Sequence, residues 1–332
     1  MKTNANSLNI TRATLSIALT TLLAACGGGG DGGSSTPGTS TGSTPTTPSQ
    51  TVTGTVATPQ YGATSAQLAA FNTLNQYRTQ CGFPALQENT VLDQAAQAHA
   101  TYMSTNGVVA DSETKGNPGF TGVSYQDRAV AAGFPNQYVG GVSGGYYSNA
   151  SLTDAQYGQQ HVIGWLSGVY HIAAGVWPSS IVGIGVSKTL FNGYPDVRAS
   201  MSFDAPKTMS GNMPLTFPCQ GTTGVAYSSN GETPTPPNTT GAWGTPVAVA
   251  GNPSDTIVLT SGTMTDNASH TITLQLLNSA TDPNKLLPAF EAVAYPTAPL
   301  QPNTPYTVNL SGTMNGTPFT RSFVFTTGNV VG

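Results

Sequence analysis

The stretch from Gly164 to Ser187, GWLSGVYHIAAGVWPSSIVGIGVS, holds one ionisable side chain, His171. A histidine set among glycines, aliphatics and small hydroxyls can take up and return a proton near neutral pH, so it is a candidate general base or ligand. The other three histidines have weaker contexts. His99 falls on the apolar face of an alanine-rich segment and reads as a core histidine with one ring nitrogen hydrogen-bonded. His161 lies in QQHVIGW at a helix start and reads as solvated. His270 adjoins a strand-like run with no carboxylate beside it in sequence. Gly141-Val142-Ser143-Gly144-Gly145 fits G-x-S-x-G, the pattern of a serine nucleophile on a strained strand-to-helix turn. That chemistry needs a strong strand before the serine and widely spaced Asp and His after it. Asn136 to Val139 make a poor strand, and Asp154 and His171 follow too closely, so the segment reads as a glycine loop at the rim of a cleft. Arg128, of the pair Asp127-Arg128, could hold an anion, but its planar fork reads more strongly as a fixer of backbone carbonyls or of a carboxylate. Trp177 and Tyr146-Tyr147 form either an aromatic binding surface or rim packing, and the sequence leaves both open.

Helices and strands must position these groups. TSAQLAAFNTLNQYRTQCG spaces Leu68, Phe71, Leu74 and Tyr77 or Arg78 as one helix face, with Thr64 or Ser65 as N-cap and Gly82 past the end. ENTVLDQAAQAHATYMSTNG repeats the pattern with Leu92, Ala95, Ala96, His99 and Met103, and Asn106-Gly107 stops it. A third helix is expected over Gln159 to Val169, with Val162, Trp165 and Leu166 inward. IVGIGVS, DVRASMSF and PLTFPC read as strands, so Thr64 to about Gln220 reads as an α/β layered domain. SSNGETPTPPNTTGAWGTP reads as a linker. Beyond it, DTIVLTSG, HTITLQLL, LPAFEAVAYP, PYTVNLSG and TRSFVFTTG are short β-rich runs, with Tyr306, Val308 and Leu310 alternating with polar residues. That pattern predicts a small antiparallel sandwich, similar in architecture to immunoglobulin-like domains.

Charged residues make up 7% of the 332 positions and the net charge is -4, against roughly a quarter charged in an ordinary soluble domain. With no basic cluster, nucleic-acid binding has no electrostatic support. Lys2 and Arg12 precede the apolar run ATLSIALTTLLAAC, which is short, ends in small residues and reads as a signal peptide. Its end, Leu23 to Cys26, resembles a bacterial lipobox, which implies cleavage before Cys26 and a lipid on that cysteine. Gly27 follows where an Asp is absent, which in a Gram-negative cell favours the outer membrane. A Gly/Ser/Thr/Pro-rich tether comes next and would reach roughly 35 Å as a random coil. With Cys26 assigned to the lipid, Cys81 and Cys219 remain as an even pair, and an exported compartment permits a disulfide between them.

Three stretches, in order, resemble the bacterial form of the CAP superfamily, the fold of cysteine-rich secretory and plant pathogenesis-related proteins. FNTLNQYRTQCGFPALQENTVLDQAAQAHATYM carries Asn75 and Arg78 in an LNxxR element, then Leu86, Leu92, Ala95 and His99-Ala100. GNPGFTGVSYQDRAVAAGF carries the Asp-Arg pair, and GWLSGVYHIAAGVWPSSIVGIGVS carries a W…S…H……VGIG element. The resemblance implies a three-layer α-β-α sandwich with a cleft lined by two histidines and two acids, which in some members bind a divalent metal. His171 falls on the second histidine, Asp111 aligns with the first, and Gly141 stands where an acid is expected. Asp111 and Glu113 are carboxylates nearby in sequence. Zinc needs three or four ligands, and only His171, Asp111 and Glu113 can be named, so neither a metal nor any other cofactor is expected.

The sequence thus predicts a signal peptide at 1–25, a tether at 26–63, a CAP domain at 64–222, a linker at 223–243 and an immunoglobulin-like β-sandwich at 244–332. His171, Asp111, Glu113, Ser143 and Trp177 are expected to line the cleft. The expected function is a lipid-anchored, exported envelope protein of the outer membrane that binds without catalysis. Its partners would be a small apolar ligand, a peptide or an envelope component, and the membrane through Cys26, with no nucleic acid. The alternatives are a divergent CAP-type hydrolase using His171 with Asp111 or Glu113, and a purely adhesive or structural envelope protein.

Overall fold

The computed structural model describes residues 52–332. The expected signal peptide, Cys26 and most of the tether lie outside the described residues. The elements of the first part are α1 (Ala66–Gln80), β1 (Gln87–Glu88), α2 (Thr90–Asn106), α3 (Tyr125–Ala131), β2 (Gly140–Tyr147), α4 (Asp154–Ser167), α5 (His171–Val176), β3 (Ser179–Phe191) and β4 (Tyr194–Pro206). The strands form one sheet in the order β1-β3-β4-β2. One face carries α2 and α3, where Leu92, Ala95, Ala129 and Phe134 pack on Ile181. The other carries α1, α4 and α5, where Phe71, Leu74, Trp165 and Ile172 pack on Val142, Val182 and Ile184. This is the predicted α-β-α sandwich.

Local signals set the element ends. Ser65 caps α1 through Leu68 N, and Asn89 caps α2 through Val91 N and Leu92 N. Gly107 ends α2 in the left-handed region that an L-side chain resists. α4 begins five residues before the predicted start, because Thr153 and Gln156 form a capping box. Asn192-Gly193, both at positive φ, turn β3 into β4.

The alternation in IVGIGVS decides how closely the helix layer approaches. A Cβ on Gly183 would fall 2.1 Å from the Leu92 backbone carbon, and one on Gly185 would fall 2.2 Å from that of Ala96. α2 therefore lies directly on bare backbone. Past the short β1, helix side chains cover the edge of β3: Ile184 N donates to Asp93 Oδ1 at 2.7 Å, and Val186 N donates to Gln97 Oε1 at 3.1 Å. Side chains here satisfy backbone donors that a neighbouring strand would otherwise take.

The second part is β5 (Leu215–Phe217), β6 (Thr223–Val225), β7 (Val247–Ala250), β8 (Ile257–Asp266), β9 (Thr271–Thr273), β10 (Gln275–Asn278), β11 (Glu291–Tyr295), β12 (Pro305–Met314) and β13 (Thr317–Thr327). They form two sheets, ordered β10-β11-β7-β5 and β6-β13-β12-β8-β9, and Tyr306, Val308 and Leu310 are buried as their alternation predicts. Pairing is antiparallel throughout except between β6 and β13.

The predicted boundaries shift. β5, assigned by sequence to the first domain, pairs with β7 of the sandwich. The segment read as a linker at 223–243 begins with β6 and ends at Trp243, which is buried and donates from Nε1 to Ser167 O at 2.9 Å. Thr/Pro/Asn composition marks a lack of periodicity, and a strap that satisfies its backbone against neighbours has none either. A disulfide joins Cys81, at the end of α1, to Cys219 across 138 residues of sequence; closing a loop of that size stabilises by roughly 4–5 kcal/mol in the chain-entropy model. The core of α1, α4 and α5 runs on into β7 and β11 without a break.

The close approach at β3 is testable. Gly183→Ala is expected to cost at least about 2 kcal/mol in denaturant unfolding, since the new methyl meets backbone and not a movable side chain. Gly62→Ala, whose Cβ would sit 3.8 Å from its nearest neighbour, is expected to change stability by less than about 0.5 kcal/mol. Equal effects would mean that the helix layer does not rest on the strand.

Candidate functional site

α5 has six residues and its N-cap, Tyr170, makes no side-chain cap bond. The cap comes from Glu232, in the strap between β6 and β7. Its carboxylate accepts Val169 N at 2.7 Å, Tyr170 N at 2.9 Å and His171 N at 2.8 Å. His171 Nδ1 lies 3.2 Å from Glu232 Oε1, with the imidazole a quarter exposed and the carboxylate buried. Burial raises the Glu232 pKa, while His171 and the three amides pull it back. The acid partner of His171 is thus Glu232, a residue the sequence reading did not single out. Its one sequence signal is that it is the lone carboxylate of an otherwise neutral strap.

His171 borders two cavities. The larger, about 680 Å³, runs along Ser143 to Tyr146 of β2 and under Gln160, His161 and Trp165 of α4, and is closed by residues 229–232 and 329–332. The smaller, about 200 Å³, is lined by Asp111, Tyr138, His171, Trp177, Leu286 and Glu291 among others. Trp177 stacks on Tyr138 at 5.5 Å and meets Phe290 edge-on at 5.2 Å. Trp177 therefore forms the wall between the cleft and the sandwich, so it is both packing and cavity surface.

Asp111, Ser143 and Tyr125 are linked. Tyr125 Oη donates to Asp111 Oδ1 at 2.7 Å and lies 2.6 Å from Ser143 Oγ. A phenol has one proton, so with that proton on Asp111 the Ser143 hydroxyl donates to Tyr125. Ser143 lies inside β2, and the next helix begins only at Asp154. The segment read as a glycine loop is in fact an edge strand, and it has no strand-turn-helix elbow. Its glycines make room for neighbours: a Cβ on Gly141 would fall on the Tyr125 ring, and one on Gly144 would fall 2.8 Å from Trp165 Nε1.

Glu113 is not brought to His171, and this corrects the expected cleft set. It is buried, sits 2.9 Å from His99 Nδ1, and accepts Thr121 N at 2.6 Å and Gly122 N at 3.3 Å. His99 Nε2 donates to Ala110 O at 2.8 Å, so both ring nitrogens are engaged where one was expected. Burial first, then the charge of Arg128, lowers the His99 pKa. The pair anchors the loop after α2. Arg128 completes the anchor by donating to the carbonyls of Gly122, Val123 and Asp111. Among the described residues no group of three or more His, Cys, Asp or Glu side chains is placed to hold a metal ion, and His171, Asp111 and Glu113 do not converge.

His161 is also corrected: it is buried, not solvated. It stacks on Trp165 at 5.5 Å, and neither its Nε2 nor Trp165 Nε1 has a hydrogen-bond partner among the described residues. Burial, with the charge of Arg198, pushes its pKa down to about 4. His270 pairs with Asp266, four residues earlier, at 3.0 Å on the surface.

Two outcomes are expected. Glu232→Gln keeps the shape but removes the charge that caps α5, and should lower unfolding stability by about 1–3 kcal/mol. For His161 the folded pKa of about 4 lies below the unfolded value near 6.5, so the unfolded chain takes up the proton first. Its contribution is present above about pH 6.5 and is lost as pH falls toward 4, on the order of 3 kcal/mol. His161→Leu should flatten that part of the stability-pH curve; parallel curves for the two proteins would refute the assignment.

Comparison with known families agrees with this geometry. The model of the cysteine-rich secretory protein family, CAP, matches residues 71–194, from within α1 to the first residue of β4. No curated protein matches the chain. Residues 71–194 thus carry a CAP domain.

Proposed function

We propose that this chain is a non-enzymatic binding module of the cell envelope whose CAP cleft takes an extended peptide along the open edge of β2. The observation that carries the reading is the groove beside β2. β2 pairs with β4 on one side only, and no described residue hydrogen-bonds its other edge. Against the face of β2 at Gly144, His161 Nε2 and Trp165 Nε1 are buried without partners among the described residues, and both residues line the groove. Leaving a buried donor or acceptor unmade costs roughly 1–3 kcal/mol each. A peptide in β conformation offers alternating N–H and C=O groups to the open edge of the strand, and the histidine and the indole are the nearest unsatisfied side-chain groups in the same groove. Val109 and Tyr146 supply apolar contact at the same groove.

The envelope setting is supported by the charged start, apolar run and LAAC end of the sequence, with a lipid on Cys26 as anchor and the outer membrane as the site. A hydrolytic reading is supported by the His171–Glu232 pair alone. It is weakened at Ser143, whose hydroxyl is turned to Tyr125 and Asp111, and at Glu113, which is committed to His99.

The test is a peptide library applied to the purified chain, with binding and cleavage both read. Bound peptides should lose at least tenfold in affinity when N-methylated at alternate residues and little at the others, because only one set of amides faces β2. Trp165→Phe should weaken binding about three- to tenfold, the worth of one hydrogen bond. Equal sensitivity at every position would remove the strand-addition reading. Cleavage abolished by His171→Ala would replace the binding reading with the hydrolase.

A further inference from the structure

Glu291 opens β11, in the sheet of the sandwich that packs against α5. It is 1% exposed, and neither carboxylate oxygen has a hydrogen-bond partner among the described residues. Two orphaned oxygens on one buried acid are rare in native structures, where buried polar atoms are nearly all paired. Glu291 is nevertheless one of the residues that border the smaller cavity, with Asp111, His171, Tyr138 and Trp177. The wall around it is apolar and aromatic: Phe203, Leu286, Pro288 and the Tyr138–Trp177 stack.

The charges around this cavity select the kind of ligand. Asp111 and Glu291 bring two carboxyl groups to it. His171 is the one cation-capable lining residue, and it already lies against Glu232. Arg78 of α1 acts on Glu291 electrostatically, but its guanidinium donates to the carbonyls of Pro84, Gly175, Trp177 and Ser179. Four of its five N–H donors are thus taken, and no arginine is among the residues that line the cavity. Burial first, then the charge of Glu291, raises the pKa of Tyr138, which precedes β2. Burial holds the Glu291 carboxyl well above its ordinary pKa, and the charge of Arg78 pulls it back.

We infer that this cavity is the binding site for a small organic amine, its ammonium group seated on the Glu291 carboxylate and its apolar body against Tyr138 and Trp177. The aromatic faces add cation–π attraction to the charge. The volume of about 200 Å³ is below the ~300–1,000 Å³ of drug-sized pockets, so the ligand is of fragment size. Any proton that the Glu291 carboxyl carries leaves to solvent as the ammonium takes its place beside the carboxylate. The inference rests on the binding reading above and names the ligand chemistry for the second cavity of the same cleft. It also makes the sandwich a part of the site, since the acid comes from β11.

The test is calorimetric titration of the full chain with 2-phenylethylamine, against the near-isosteric 2-phenylethanol and the anion phenylacetate. The amine is expected to bind at least tenfold more tightly than the alcohol, and the anion more weakly than both. Titration in buffers of different ionisation enthalpy should show proton release on amine binding that is lost in Glu291→Gln. Glu291→Gln should bring the amine down to the affinity of the alcohol, while alcohol binding, unchanged, shows that the cavity is intact. Amine and alcohol binding equally, or an E291Q variant that changes thermal stability without changing amine affinity, would overturn the inference and leave Glu291 as a remote counter-charge to Arg78. If library peptides still bind along β2 with alternate N-methyl sensitivity, the peptide reading survives that result. If the amine binds as expected and no peptide does, the amine site stands and the strand-addition reading falls.

Discussion

The guanidinium of Arg78 is the constraint on which the cleft depends. It is almost fully buried, and it donates to four backbone carbonyls drawn from the turn after α1, the end of α5 and the start of β3. A buried charge is tolerated only when its donors are met. Burial still pulls its pKa down to about 9, and the charge of Glu291 works in the opposite direction. Because one of the four carbonyls is that of Trp177, the same bonds fix the wall of the smaller cavity. The planar fork of arginine reaches several acceptors at once, which a lysine ammonium does not.

The two halves of the described chain complete each other around this point. α5 carries His171 but lacks a cap, and Glu232 from the strap supplies it. Trp243 and Tyr170 cross between the parts, the first to Ser167 O and the second to Asp282. The apolar core is shared. The sandwich is therefore a structural partner of the CAP domain, and the residues nearest His171 come from both.

Legibility followed the range of the interactions. Helices α1 and α2 were readable because caps, a 3.6-residue apolar period and Gly107 are local. β12 and β13 were readable from strict alternation. α3 and α5 were not, since seven and six residues are too few to show a period. β2 read as a loop because glycines hide a strand whose neighbours need the space. β5 read as part of the first domain because nothing in Leu215–Phe217 says which sheet will receive it.

The site divides in the same way. The sequence by itself determined the CAP resemblance, the place of His171 between the tryptophan helix and the VGIG strand, the structural role of Arg128 and the availability of Cys81 and Cys219 for pairing. These depend on residue type and order. Only the tertiary structure decided that Glu113 belongs to His99, that Glu232 belongs to His171, that His161 is buried, and that Glu291 stands unpaired beside Trp177. Each of these is a carboxylate or imidazole whose partner is chosen by desolvation. Burial fixes which charges must meet or remain alone, and burial is a property of the packed chain, not of the spacing along it.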